Sequence, residues 1–292
     1  MQYHAAPTMQ GLLVVEKPAG CTSHDVVDVL RARAGLRRIG HTGTLDPMAT
    51  GVLVLLIGAA TRWAEQFLAD DKEYETTIQL GSRTDTGDAW GKIIAQDQPA
   101  TEPPTREAVE AVLRTLEGSH EQIPPMYSAA KHQGKPLYTW ARRGQVVTRT
   151  PKRVHIYRCE LLAYQATAPA LAVGAGTPAP EFPQIVCRIH CSKGTYVRVL
   201  AETIGAALGL GAHVAALRRT RVGPFTLQDA VPLAWVQSAT SAEIGARLCR
   251  YEAGRIIAPP PAGEPPKAAR ALTDSRPSVG PAGGGVAPHA RP

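Results

Sequence analysis

An α+β fold is the class that this 292-residue sequence predicts, and three observations predict it. Residues 72–80 alternate, with Tyr74, Thr76, Ile78 and Leu80 on one face and Glu73, Glu75, Thr77 and Gln79 on the other, the period of a half-buried strand. Residues 52–57 form a continuous apolar run of strand length. Thr105 opens a helical pattern in which Val109, Val112, Leu113 and Leu116 share the inward stripe and Gly118 provides the stop. Strands interspersed with helices bury their apolar faces against one another in layers, and a hydrophobic content of 44% is enough for a sizeable core.

In chain order, residues 1–10 read as an N-terminal extension and 11–15 as a buried strand that leaves Lys17 at its end. Thr22 or Ser23 followed by Asp25 marks a helix start, and Val26, Val27, Val29, Leu30 and Ala34 supply its stripe up to Gly35. After the strand at 52–57, residues 59–68 carry Trp63, Phe67 and Leu68 at helical spacing. The polar stretch 82–88 is a turn before a returning strand at 92–95, and by itself reads equally as a solvated hairpin. Pro124 and Pro125 forbid regular structure across 123–129. The basic cluster at 131–143 could contact phosphates, although solvated faces carry such charges more commonly.

Strands at 154–163 and 184–191 flank an Ala/Pro/Gly-rich stretch, 166–183, that has no periodicity and reads as a mobile insertion. A helix reaching about residue 208 and an alternating strand at 214–222 complete a domain expected to span 11–250. Residues 251–292 read as a disordered tail, because 259–292 hold nine prolines and five glycines with almost no large apolar side chains.

Composition narrows the function classes. A formal charge of +7 favours a polyanionic partner without establishing one. The five cysteines are odd in number and include no C-x-x-C pair, which argues against a disulfide framework and against a standard zinc site. Cys187 and Cys191 alternate with Ile185 and Ile189 on one apolar strand face and read as core. The N-terminus lacks the regions of a signal peptide, and no apolar run approaches the ~20 residues of a membrane helix, so a cytoplasmic protein is expected.

Chemistry concentrates in Gly40-His41-Thr42-Gly43-Thr44-Leu45-Asp46-Pro47-Met48-Ala49-Thr50-Gly51, which crowds glycines, hydroxyls, one imidazole and one carboxylate between a helix and an apolar strand. The three glycines permit positive φ and close approach of another molecule, while Pro47 fixes the chain after Asp46. Spacing alone reads Asp46 as a turn residue, since Asp-Pro commonly opens turns.

Together with Lys72-Glu73-Tyr74, Arg83-Thr84-Asp85-Thr86-Gly87-Asp88, Ile123-Pro124-Pro125-Met126-Tyr127-Ser128-Ala129 and Cys191-Ser192-Lys193-Gly194-Thr195-Tyr196-Val197-Arg198, this loop resembles the TruB family of tRNA pseudouridine-55 synthases. The resemblance covers about residues 9–232 in collinear order, and its G-H-T-G-x-L-D-P block is specific. It implies a mixed, mostly antiparallel β-sheet flanked by helices, with an RNA cleft across the sheet. It implies isomerisation of uridine to pseudouridine in the tRNA T-arm by a monomer that needs no cofactor, no metal and no obligatory protein partner.

By the same resemblance Asp46 is the catalytic carboxylate, either as nucleophile at the ribose or as a base on a glycal route. Arg198 pairs with it, and Tyr74 stacks on the target base. His41 fills the space left by flipped nucleotides, Lys17 supports the loop, Tyr196 packs beside the catalytic pair and Leu217 lines the uracil pocket. Family members often carry a C-terminal RNA-binding PUA module, where this sequence turns Pro/Gly-rich. A noncatalytic RNA-binding protein and the core subunit of a guide-RNA pseudouridylating particle are the competing readings.

Overall fold

Period-two alternation gives Lys72–Leu80 one largely apolar face, and the fold places that strand near the middle of its main sheet. The structure is a computed structural model that describes residues 9–98, 102–169, 181–252 and 255–257. All of them belong to the compact unit 1–260.

In chain order the elements are β1 (Gly11–Lys17), α1 (Ser23–Ala34), β2 (Ile39–His41), β3 (Thr50–Ile57), α2 (Ala64–Leu68), β4 (Lys72–Leu80), β5 (Ser82–Thr84), β6 (Ile93–Gln96), α3 (Arg106–Thr115) and β7 (Gly118–Gln122). A small hairpin of β8 (Lys131–His132) and β9 (Lys135–Pro136) precedes α4 (Leu137–Ala141), β10 (Lys152–Pro169), β11 (Glu181–Cys191), α5 (Val197–Ala207) and β12 (Ala212–Val222). Short pieces follow: β13 (Phe225–Thr226), β14 (Val231–Pro232), α6 (Leu233–Ser238), α7 (Ser241–Ala246), β15 (Arg250–Glu252) and β16 (Arg255–Ile257).

The main sheet runs β14-β1-β3-β12-β4-β11-β10-β7, with β2 added on β3 and β13 on β12. Only the β1–β14 and β3–β12 pairings are parallel, so the sheet is mixed and mostly antiparallel, as expected. The larger core lies on one face of this sheet, where Ile78, Leu80, Ile185, Cys187, Ile189 and Cys191 meet Val26 and Leu30 of α1, Val109 and Leu113 of α3 and Leu200 and Ile204 of α5. A smaller core on the opposite face joins Leu12, Val14, Val52, Val54 and Leu56 to Phe67, Val222 and Phe225. Helix α1 begins where the sequence says it should: in a capping box the Thr22 hydroxyl accepts the Asp25 N–H and the Asp25 carboxylate accepts the Thr22 N–H, and Gly35 ends the helix at φ 66°.

Four expectations need correction. Residues 59–68 are a 3-10 turn, Gly58–Trp63, followed by the five-residue α2, rather than one helix. Gly40 sits inside β2 and is not among the positive-φ glycines, whereas Gly43 and Gly51 have φ 134° and 103°. The crowding at Gly51 is internal, because a Cβ there would lie 2.2 Å from the Arg219 carbonyl oxygen across the β3–β12 pairing.

The supposed insertion at 166–183 is also shorter than its composition suggests. Strand β10 continues to Pro169 and β11 restarts at Glu181, with Ala168 facing Phe182; residues 170–180 lie outside the described residues. Phe182 is only 2% exposed, and Gly81 makes room for its ring, since a Cβ there would come within 2.1 Å of it. Last, the tail does not begin at 251. Tyr251 belongs to the β15–β16 hairpin and meets the rings of Trp63 and Phe67 edge-on at 4.7 and 5.3 Å. Residues 1–8 and 258–292 lie outside the described residues.

These contacts predict that Phe182→Ala costs about 3–5 kcal/mol, the usual loss for emptying a buried phenylalanine site. Urea denaturation checks it, and a loss below ~1 kcal/mol would place Phe182 outside the core.

Candidate active site

The loop between β2 and β3 carries Asp46, and it is fastened from below at nearly every residue. Ser23, at the start of α1, donates its hydroxyl to the Leu45 carbonyl at 3.1 Å and accepts the Leu45 N–H at 2.8 Å. Lys17 is wholly buried and donates Nζ to the carbonyls of Pro18, Cys21 and Pro47 at 2.8, 2.7 and 3.3 Å. The Gly20 N–H also reaches the Pro47 carbonyl, and Ala49 N–H closes a turn onto the Asp46 carbonyl. Leu45, Met48 and Ala49 are buried, so the loop is a packed platform with its carboxylate pointing away from the core.

Arg198 enters from the first turn of α5 and meets that carboxylate side-on. Its Nε lies 2.9 Å from Oδ2 and its Nη2 donates to Oδ1 at 3.1 Å. Nη1 donates to the Thr86 carbonyl and Nη2 to the Tyr127 carbonyl, both at 2.7 Å, while Asp88 Oδ2 stands 4.0 Å from Nε. The guanidinium is 5% exposed but the Asp46 side chain is still 29% exposed, so the pair is buried on the arginine side and open on the carboxylate side. Burial pushes the Asp46 carboxyl above its usual range; Arg198 pulls it back and Asp88 adds to the rise.

Asp46 opens on a cleft of about 450 Å³. His41, Tyr74, Tyr196, Arg198 and Leu217 line it together with Asp46, so six of the seven residues singled out from the sequence converge on one space. Tyr74 and Leu217 project from β4 and β12 into the same side of the sheet. Burial raises the Tyr74 phenol, and the adjacent Arg219 guanidinium partly offsets that. His41 is held neutral by burial and by Arg219, and its Nδ1 accepts the Gly43 N–H at 3.3 Å, which leaves the proton on Nε2. Tyr196 is fixed at the head of α5 by Gln122, whose side-chain oxygen accepts the Tyr196 N–H at 2.9 Å. Lys17 is the exception: it lies beneath the loop, bonded to three carbonyls, and does not line the cleft.

Sequence reasoning missed three participants. Arg219 is 1% exposed and donates Nε to the Val52 carbonyl at 2.8 Å, Nη2 to Gly43 at 3.1 Å and Nη1 to Thr44 at 3.4 Å, anchoring the front of the loop to β12. Its signal was available: Arg219 is two residues beyond Leu217 and therefore on the same strand face. Lys72 lines the cleft two residues before Tyr74 by the same rule. Asp88 lay in a quoted motif without a role, in a stretch that could have been solvated; Ser82, Thr84 and Asp88 are buried instead.

Residues 31–197 match the TruB family pseudouridylate synthase (N terminal domain), and residues 198–250 match the tRNA pseudouridylate synthase B C-terminal domain. A tRNA pseudouridine synthase B of Syntrophotalea carbinolica is 45% identical over 225 residues, covering 77% of this chain and 68% of that protein. The same enzyme of Ralstonia pickettii is 41% identical over 245 residues, covering 84% and 72%. Among solved structures, a Cbf5-Nop10-Gar1 complex contains a chain with a TM-score of 0.55 and 28% identity; the match covers 78% of this chain and just over half, 53%, of the other. With well over half of its residues matched, the chain belongs to the TruB family of pseudouridylate synthases, which are isomerases.

Proposed function

We propose that this protein isomerises uridine to pseudouridine at position 55 in the T-arm of tRNA, with Asp46 as the catalytic carboxylate. The observation that carries the reading is the side-on Arg198–Asp46 pair at the floor of a cleft that also presents Tyr74 and Leu217. The bacterial relatives named tRNA pseudouridine synthase B, at 41–45% identity, support tRNA as the substrate over a guided RNA. The reading assigns the activity to the chain alone, as a cytoplasmic monomer.

The reaction is redox-neutral: the N1–C1′ glycosidic bond breaks, the uracil turns, C5 bonds to C1′, and the C5 proton leaves as N1 gains one. No cofactor or metal is assigned to it. The target base has to leave its stack before the ribose can reach Asp46, at a cost of a few kcal/mol. Tyr74 offers a ring face for the extruded base, Leu217 the apolar wall beside it, and neutral His41 a flat ring to replace it in the stack. Arg198 holds Asp46 in one orientation and favours its ionised form, as required whether the carboxylate attacks C1′ or removes a ribose proton on a glycal route.

Purified protein mixed with an unmodified tRNA transcript tritiated at uracil C5 should release tritium in proportion to pseudouridine formed. Tight binding without release would instead favour a noncatalytic RNA-binding role. Asp46→Asn keeps the size but loses the anionic oxygen, so turnover should fall by at least about a thousandfold while tRNA binding is largely retained. Substantial residual turnover would remove Asp46 from the chemistry.

The pH dependence has a definite sign. A carboxyl whose folded pKa is raised is costly to ionise, so its contribution to stability declines as pH rises through the window above its ordinary value of 3.8. Activity needs the ionised form, so the acid limb of kcat/KM should lie above that value. Arg198→Met removes the main downward pull and should move the limb to higher pH. A wild-type limb at or below 3.8 would contradict the assignment.

A further inference from the structure

The cleft holds more positive charge than its chemistry uses. Lys72, Lys152, Arg198 and Arg219 line it against one carboxylate, Asp46, which Arg198 already engages. Among the described residues, no carboxylate oxygen lies within 4.0 Å of the charged nitrogens of Lys72 or Arg219, although the two side chains are only 6% and 1% exposed. Buried cations without a counter-ion are costly, and two beside each other are more so. We propose that Lys72 and Arg219, with Gly43 between them, form a binding site for an RNA backbone phosphate flanking the nucleotide on which Asp46 acts. This inference rests on the proposed function and adds a ligand contact to the same cleft.

Geometry supports the assignment. A Cβ built on Gly43 would lie 3.6 Å from Arg219 Nη1 and 4.0 Å from Lys72 Cε, so the bare glycine separates the two side chains and leaves their approach open. Gly43 is three residues from Asp46 on the same loop, which keeps the two backbones within about 10–11 Å of each other. Lys72 Nζ donates to the carbonyls of Leu68 and Asp70, which leaves one of its three protons for a ligand. Arg219 commits its nitrogens to the Val52, Thr44 and Gly43 carbonyls, so it contributes charge and holds the loop while Lys72 supplies the free donor. A neutral carbonyl of the base would satisfy that donor but would leave both charges uncompensated; a phosphate satisfies the donor and sets one negative charge against the two cations.

The groups that face Lys72 agree. Burial and Arg219 lower its pKa to about 8, while Asp70, Asp71 and Cys191 pull it upward without restoring the ordinary value. Burial raises the Asp70 carboxyl as well, Lys72 pulls it back, and its Oδ2 has no hydrogen-bond partner among the described residues.

The test is a double-mutant cycle between protein and RNA. Wild type and Lys72→Met are each assayed by tritium release from a T-arm hairpin and from hairpins carrying one uncharged methylphosphonate, either 5′ or 3′ of the target uridine. Lys72→Met should lower kcat/KM about 10–100-fold on the unmodified hairpin, the range for one charge-assisted bond. One of the two methylphosphonates should cause a similar loss in wild type and almost none in the variant. Independent, multiplying losses at both positions would overturn the proposal.

A wild-type measurement guards against a variant that fails to fold. On the unmodified hairpin, kcat/KM should fall as pH rises through about 8. On the coupled methylphosphonate hairpin it should stay flat there, and identical profiles on the two RNAs would also overturn the proposal. If wild type released no tritium from any hairpin, the proposed function itself would fail, an outcome distinct from either of these.

Discussion

The contact on which the rest of the site depends is the side-on pairing of Arg198 with Asp46. One guanidinium joins four stretches of chain that are far apart in sequence: the Asp46 loop, the turn at Thr86, the proline-rich loop at Tyr127 and the helix that carries Arg198 itself. Burying an arginine to 5% exposure is unfavourable unless its donors are satisfied, and here three of the interactions are hydrogen bonds to fixed oxygens. The arrangement therefore orders the surrounding loops in return for a carboxylate held in one orientation. It also explains why 123–129 can be irregular without being loose, since its Tyr127 carbonyl terminates on that guanidinium.

Beneath the Asp46 loop the same logic recurs with a different acceptor. Lys17 and Arg219 are buried cations that bond backbone carbonyls, six of them between the two side chains, instead of carboxylates. Carbonyls satisfy the donors but do not cancel the charge. The loop is thus rigid and its surroundings remain electropositive, a combination suited to a polyanionic substrate and to keeping a carboxylate ionised in an enclosed place.

What the sequence disclosed follows from which interactions are local. Strand β4 was readable because its side chains alternate from Lys72 to Ile78, with only the buried Gln79 breaking the pattern near its end, and α1 because its cap and stop adjoin the helix itself. Strand β7, Gly-Ser-His-Glu-Gln, carries no apolar alternation; it exists because β10 offers it an edge. Phe182 was hidden among prolines and alanines although it is core, since its partner, Gly81, is a hundred residues earlier. At the site, Asp46 alone looks like a turn residue, and the arginine that changes this reading lies 152 positions away. The family resemblance supplied that link. Arg219 and Lys72 escaped because their partners are carbonyls, which leave no charge pattern in a sequence.

The two layers of charge also constrain one another. An RNA entering the cleft excludes water and brings phosphate charge towards Asp46, and both effects would push up a carboxyl that burial has already raised. Arg198 is fully engaged and cannot offset a second anion. Lys72 and Arg219 can, because under the proposed contact the phosphate would bind beside cations already in place, whose charge screens it from Asp46. An excess of cations that looks wasteful in the free protein is then the condition for the carboxylate to remain ionised when the cleft is filled.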